Sequence, residues 1–136
     1  MNTTSTYRNV RILFLANAII NWTVSLPGIL DPSRAAAAFG GAPPNYPSII
    51  RLWQGFVFMF GCLFWEVSRD VEGKAALIKY NWIEKTITAV VITLGFLQGD
   101  IPRRLMILIV FTNWLWLPFI IWADVAVRRV SHRSAV

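Results

Sequence analysis

Residues 80–98 read YNWIEKTITAVVITLGFLQ. The second half of this stretch is an apolar run, and the first half carries Glu84 and Lys85 side by side. A charged residue at the centre of a membrane helix costs about 2.5–3.5 kcal/mol on insertion scales, so such groups are normally paired inside the protein. The stretch therefore reads as a membrane helix with a charged turn that its neighbours must solvate.

The neighbours are three more apolar runs, at residues 12–30, 49–67 and 105–127. A spanning helix needs about 20 residues, and each run approaches or exceeds that length. The 136-residue chain is 56% hydrophobic and 15% charged, where a soluble domain would carry about 25% charged residues. The predicted fold class is all-α: an integral membrane four-helix bundle, one transmembrane domain over residues 1–136.

The net charge of +6 is split among the connections. Arg8, Arg11, Arg69, Lys74, Lys79, Arg128, Arg129 and Arg133 fall on one side, and Arg34, Arg51, Arg103 and Arg104 on the other. The richer side is the cytoplasmic one, which puts both termini inside. The partner of this charge is the bilayer and not nucleic acid. The basic tail, residues 127–136, is expected against anionic headgroups.

Redox and metal chemistry lack ligands in this sequence. The sole histidine, His132, lies in the tail, and the sole cysteine, Cys62, lies mid-run, where a buried thiol behaves as an inert small hydrophobe. No axial haem ligand and no zinc cluster is available within the runs, so neither a cofactor nor a metal is expected.

Helical spacing assigns faces. Asn17, Asn21, Ser25 and Gly28 lie on one face of the first helix, polar or small, which should point inward. Pro27-Gly28 should bend or loosen its last turn. Asp31-Pro32 is a helix start, the alanines at 35–38 favour helix and Gly40-Gly41 ends it, which predicts a short surface helix in the first outer loop. On the second helix Arg51, Gly55, Phe58, Cys62 and Glu66 share a face, and Trp53 and Trp65 mark its two interfaces. Gly99-Asp100-Ile101-Pro102 is a tight turn. Asn113, Leu117, Ile120 and Asp124 share a face of the fourth helix, which Pro118 should kink.

With alternating spans, Asn17, Glu66, Glu84, Lys85 and Asp124 fall at similar depth, and Asn21 and Asn113 extend this layer toward the midplane. Arg51 stands alone near the outer mouth. The layer fits two roles. As structure, it is a network of salt bridges and amides holding four helices in register. As a site, it is a polar pocket: Lys85 binds an anionic or carbonyl group, Glu66, Glu84 or Asp124 serves as acid or base, and Asn17, Asn21, Arg51, Asn113 and Trp116 line the ligand. Seven tryptophans can form an interface belt or line a pocket for an isoprenoid or sterol.

The chain resembles small bacterial four-helix membrane proteins of the DoxX-like group. The resemblance runs from about Arg11 to Arg128 and lies in Leu30-Asp31-Pro32, in RLWQGFVFMFGCLFWEVSRD with Arg51, Gly55 and Gly61, and in Lys85. Asn113-Trp114 stands where relatives often have an acid. The resemblance implies a bundle in a bacterial inner membrane and, for some members, service as an accessory subunit of a quinone-linked oxidoreductase. The resemblance carries over no catalytic residues, and the polar layer and the resemblance together leave two functions expected. One is an accessory or partner-binding subunit of a quinone-linked membrane complex, with a hydrophobic small molecule or quinone, a membrane-protein partner or a second copy as its contacts. The other is an intramembrane isomerase, cyclase or hydrolase working by acid–base chemistry on an isoprenoid or lipid-like substrate.

Overall fold

In the computed structural model, residues 3–134 are described, and they form only helices and their connections. The helices are α1 (Thr3–Leu30), α2 (Pro32–Ala38), α3 (Pro47–Arg69), α4 (Ile78–Leu97), α5 (Arg103–Ile109) and α6 (Leu117–Ser134). A 3₁₀ turn at Ala75–Leu77 leads into α4, and a π-helical segment at Val110–Trp114 joins α5 to α6.

The boundaries follow local chemistry. The Asp31 carboxylate accepts the Arg34 N–H at 2.9 Å, and Pro32 opens α2. Gly40 then takes φ +79°, which only glycine adopts cheaply. Its N–H donates to Ala37 O and that of Gly41 to Ala36 O, both at 2.9 Å, which satisfies the last carbonyls. The end of α4 repeats the device: Gly99 takes φ +85°, and the Gly99 and Asp100 N–H groups donate to Phe96 O and Gly95 O. Pro27 lies inside α1 without ending it, and Asp31 N–H still reaches Pro27 O at 2.9 Å.

The break expected at Pro118 occurs one turn earlier. Leu115 N–H skips back to Val110 O at 3.0 Å, which widens the turn, and α6 restarts at Leu117. Pro118 has no N–H to offer the preceding turn, so the ladder is already weakened there.

Among the described residues, three rods are long and apolar enough to cross a membrane: Thr4–Leu30, Pro47–Arg69 and Arg103–Ser131. α4 has 20 residues and sits among them, but Asn81, Glu84 and Lys85 dilute its apolar character. α1 and α3 form the most extensive pair, with α4 against α5 and α6, and α6 closing on α1. The α1–α3 approach is close at Gly61, where an added Cβ would lie 2.6 Å from the Trp22 ring.

The two ends of the molecule are packed differently. Where α1 begins and α6 ends, Val10, Phe14, Phe64, Val67, Ile78 and Val127 form one buried cluster. Phe14 meets Phe64 edge-to-face, with centroids 5.9 Å apart. At the opposite, loop-bearing end, Arg51 Nε donates to Ile29 O at 3.1 Å and Gly41 lies against Pro102. Between that end and the core lies a cavity.

The inward face expected of α1 is present: Asn17, Asn21, Ser25 and Gly28 are all buried. Cys62 is exposed on the flank of α3 and not buried as expected, because α3 turns Gly61 and Phe64 toward α1 and leaves Cys62 outside. The basic tail extends past the described residues at 135 and 136.

Candidate functional site

The cavity measures about 400 Å³ and is lined by α1, α3, α4, α5 and the π segment. Its walls are mostly aliphatic, with Ile20, Val24, Ile50, Ile92 and Leu105 among them. The polar lining residues are Asn21, Gln54, Glu84, Lys85, Thr88, Thr112 and Asn113. An apolar cleft with a few convergent polar groups is the ordinary form of a small-molecule site.

Lys85 is central. Its side chain is 3% exposed, so its ammonium needs partners within the protein. Nζ donates to Asn21 Oδ1 at 2.9 Å and lies 3.7 Å from Glu84 Oε2. It also lies 5.9 Å from the centroid of the Phe64 ring, close enough for a cation–π attraction. Asn21 is anchored in turn, because its Nδ2 donates to the Val57 carbonyl at 3.3 Å. The network thus ties α4 to α1 and α1 to α3. Glu84 Oε1 accepts from Thr88 Oγ1 at 3.3 Å, one turn along the same helix.

Three buried oxygens on this lining have no protein hydrogen bond: Gln54 Oε1, Glu84 Oε2 and Asn113 Oδ1. Asn113 Nδ2 is held by Thr112 Oγ1 at 2.9 Å, so its oxygen is the free end of the amide. The π segment places Thr112 and Asn113, neighbours in sequence, on the same wall. Such widened turns recur at functional sites. Gln54 also covers Gly28, where an added Cβ would lie 2.5 Å from its Cγ.

Four of the residues singled out in the sequence come together here: Asn21, Glu84, Lys85 and Asn113. Asn17 lies one turn below Asn21 in the packed half and donates to Leu13 O at 3.1 Å. Asn81 is its counterpart one turn below Lys85, fully buried, with neither amide atom partnered in the protein. Glu66 and Asp124 do not reach the cavity lining. Glu66 pairs with Lys74 at 2.6 Å at the end of α3, its side chain 47% exposed. Asp124 accepts from Arg128 at 2.8 Å and from Trp82 Nε1 at 3.4 Å. Arg51 is exposed at the loop-bearing end, and Trp116 is half-buried at the helix break, away from this lining.

Gln54, Thr88 and Thr112 were missed in the sequence. Gln54 carried a signal, as a lone amide within an apolar run. The face drawn through Arg51 and Phe58 hid it, because the cavity wall of α3 runs through Ile50, Trp53, Gln54 and Val57.

Chemically, the arrangement offers one cation, one carboxylate and two amide oxygens to a molecule otherwise held by hydrocarbon. Compared with models of known families, with curated proteins and with solved structures, the chain matches none of them.

Proposed function

We propose that this chain is a four-helix membrane bundle that holds a hydrophobic small molecule by its polar head, in the manner of a lipid- or quinone-binding accessory subunit. In this reading α4 is the fourth span, both termini are cytoplasmic and the membrane is a bacterial inner membrane, as in the DoxX-like group. The observation that carries the reading is the cavity bordered by Lys85 and by three buried oxygens without a protein hydrogen bond. An unmade hydrogen bond on a buried oxygen costs about 1–3 kcal/mol. A ligand supplying donors to those oxygens and an acceptor to Lys85 removes that cost.

Acid–base catalysis on such a molecule is the second reading, and Glu84 favours it. Its Oε2 is free of hydrogen bonds, borders the cavity and lies 3.7 Å from the ammonium. Glu66 and Asp124, each paired with a nearby cation, serve this reading as structural charges.

Native mass spectrometry of the gently extracted protein, with extraction of whatever lipid-like molecule co-purifies, tests the proposal. A defined bound isoprenoid alcohol, sterol or quinol is expected, lost in Lys85→Met and kept in Asp124→Asn. A protein that carries no defined small molecule, or carries it equally in Lys85→Met, overturns the pocket.

A further inference from the structure

Lys85 is the only cation among the described residues that line the cavity, and Glu84 already stands beside it. The remaining unpartnered atoms on the lining are oxygens. The Gln54 amide can turn to present its N–H groups, but the Asn113 amide is held by Thr112, and a carboxylate has none to present. An anionic head would therefore face Glu84 at close range in a low-dielectric setting, where like charges repel strongly. A neutral head meets no such conflict. A hydroxyl can donate to Glu84 Oε2 and accept from Lys85 through the same oxygen.

A second cavity adjoins the first. It measures about 260 Å³ and runs between α3 and α4, which touch little along their length. Trp53, Val57, Glu84 and Thr88 line both spaces. Beyond them the lining is Phe56, Phe60, Tyr80, Ile83 and Ile87, all apolar or aromatic. Phe56 and Ile87 are more than half exposed, so the groove opens on the outer flank of the helices. On the membrane reading that flank faces lipid. Two adjoining spaces, one with a polar end and the other walled by hydrocarbon, match one molecular shape.

We infer that the occupant is a neutral single-chain amphiphile with a hydroxyl-type head between Lys85 and Glu84, its hydrocarbon chain lying in the α3–α4 groove, so that it enters sideways from the bilayer. This inference rests on the proposed function and names the ligand class and route for the same site. Lipid tails are as apolar as the groove, so transfer of the chain from bilayer to protein gains little. Selection falls on the head, whose hydrogen bonds are strong where water is scarce.

The test uses the full chain in phosphatidylcholine vesicles with two photoreactive probes, hexadecanol and hexadecyl phosphate, each carrying a mid-chain diazirine. Labelled peptides are mapped with and without excess plain hexadecanol. The hexadecanol probe is expected to label Phe56, Phe60, Ile83 or Ile87 in a competable way, at least about tenfold above the phosphate probe, as one hydrogen bond gained or lost implies. Lys85→Met should abolish the competable label. Ile87→Trp, on the exposed rim and away from the head, should slow labelling without unfolding the protein. Competable label on Leu105 or Leu108, with none in the groove, overturns the lateral route while leaving the pocket standing. Phosphate labelling equal to or above that of the alcohol overturns the neutral head. No competable labelling by either probe overturns the pocket itself.

Discussion

The Lys85–Glu84 pair gives the most direct energetic test. At 3.7 Å, and with an effective dielectric near 20, the attraction is about 4 kcal/mol before desolvation is counted. Replacing Lys85 by Met strands Glu84 with a single bond from Thr88 and leaves Asn21 Oδ1 without its donor. Breaking one side of a buried pair typically costs about 3–5 kcal/mol. Glu84→Gln should cost less, because the ammonium keeps Asn21 and the Phe64 ring. The double variant Lys85→Met/Glu84→Gln removes both charges and with them the desolvation each had paid, so it should lie closer to the parent than Lys85→Met does. The singles are thus strongly non-additive, with a coupling of about 1–3 kcal/mol. Reversible unfolding in mixed micelles with increasing sodium dodecyl sulfate measures all four proteins. If the double variant is destabilised by the plain sum of the singles, the pair carries no coupling and the buried network is misread.

Three other outcomes follow from the packing. Gly61→Leu drives a side chain into Trp22, which lies 2.6 Å from the Cβ position, and should destabilise the α1–α3 pair by about 1–3 kcal/mol in the same unfolding assay. Asp31→Ala removes the cap on α2 and should cost about 0.5–2 kcal/mol, seen as faster amide exchange near Arg34 with the α1–α3 contact unchanged. Asp124→Asn should shift the unfolding free energy by less than about 1 kcal/mol, because its partner Arg128 is 57% exposed and such pairs are weak; a larger loss would show that Asp124 is held more tightly than its two bonds imply.

The parts of the structure legible in the sequence are those decided locally. Asp31-Pro32 and Gly40 fix the short helix because capping and a positive φ involve only near neighbours. The buried face of α1 was legible because its period is helical and polar side chains avoid an apolar exterior. The Glu84–Lys85 turn stood out because charge within an apolar run demands an explanation. The partners did not stand out. Glu66 finds Lys74 only because the chain turns back after Asp70, whose carboxylate caps that turn by accepting from Gly73 N–H at 2.9 Å. A cavity is harder still, since it is defined by what distant side chains fail to fill.

That cavity has a physical reason to persist. In water, an apolar hollow would be under pressure to collapse, because closing it removes surface from solvent. On the proposed membrane reading the surroundings are as apolar as the side chains, so that force is absent and packing alone decides. The chain packs the terminal end with Phe14, Phe64, Val67, Ile78 and Val127, and stops where Asn21 and Lys85 bond across from α1 to α4. Beyond that rung the side chains separate, and Gln54, Glu84 and Asn113 each keep an oxygen without a hydrogen bond. Unmade hydrogen bonds that border a hollow, beside a cation held in place by Asn21, are what a binding site looks like before its ligand is considered. The rung then has two roles at once. It closes the packed core from above and forms the polar floor of the hollow, so stability and ligand capture should be coupled through Lys85. Ligand binding should therefore raise the unfolding midpoint of the parent chain and leave that of Lys85→Met unmoved, because binding to the folded state alone stabilises it by mass action. An equal rise in both would separate the floor of the cavity from its function.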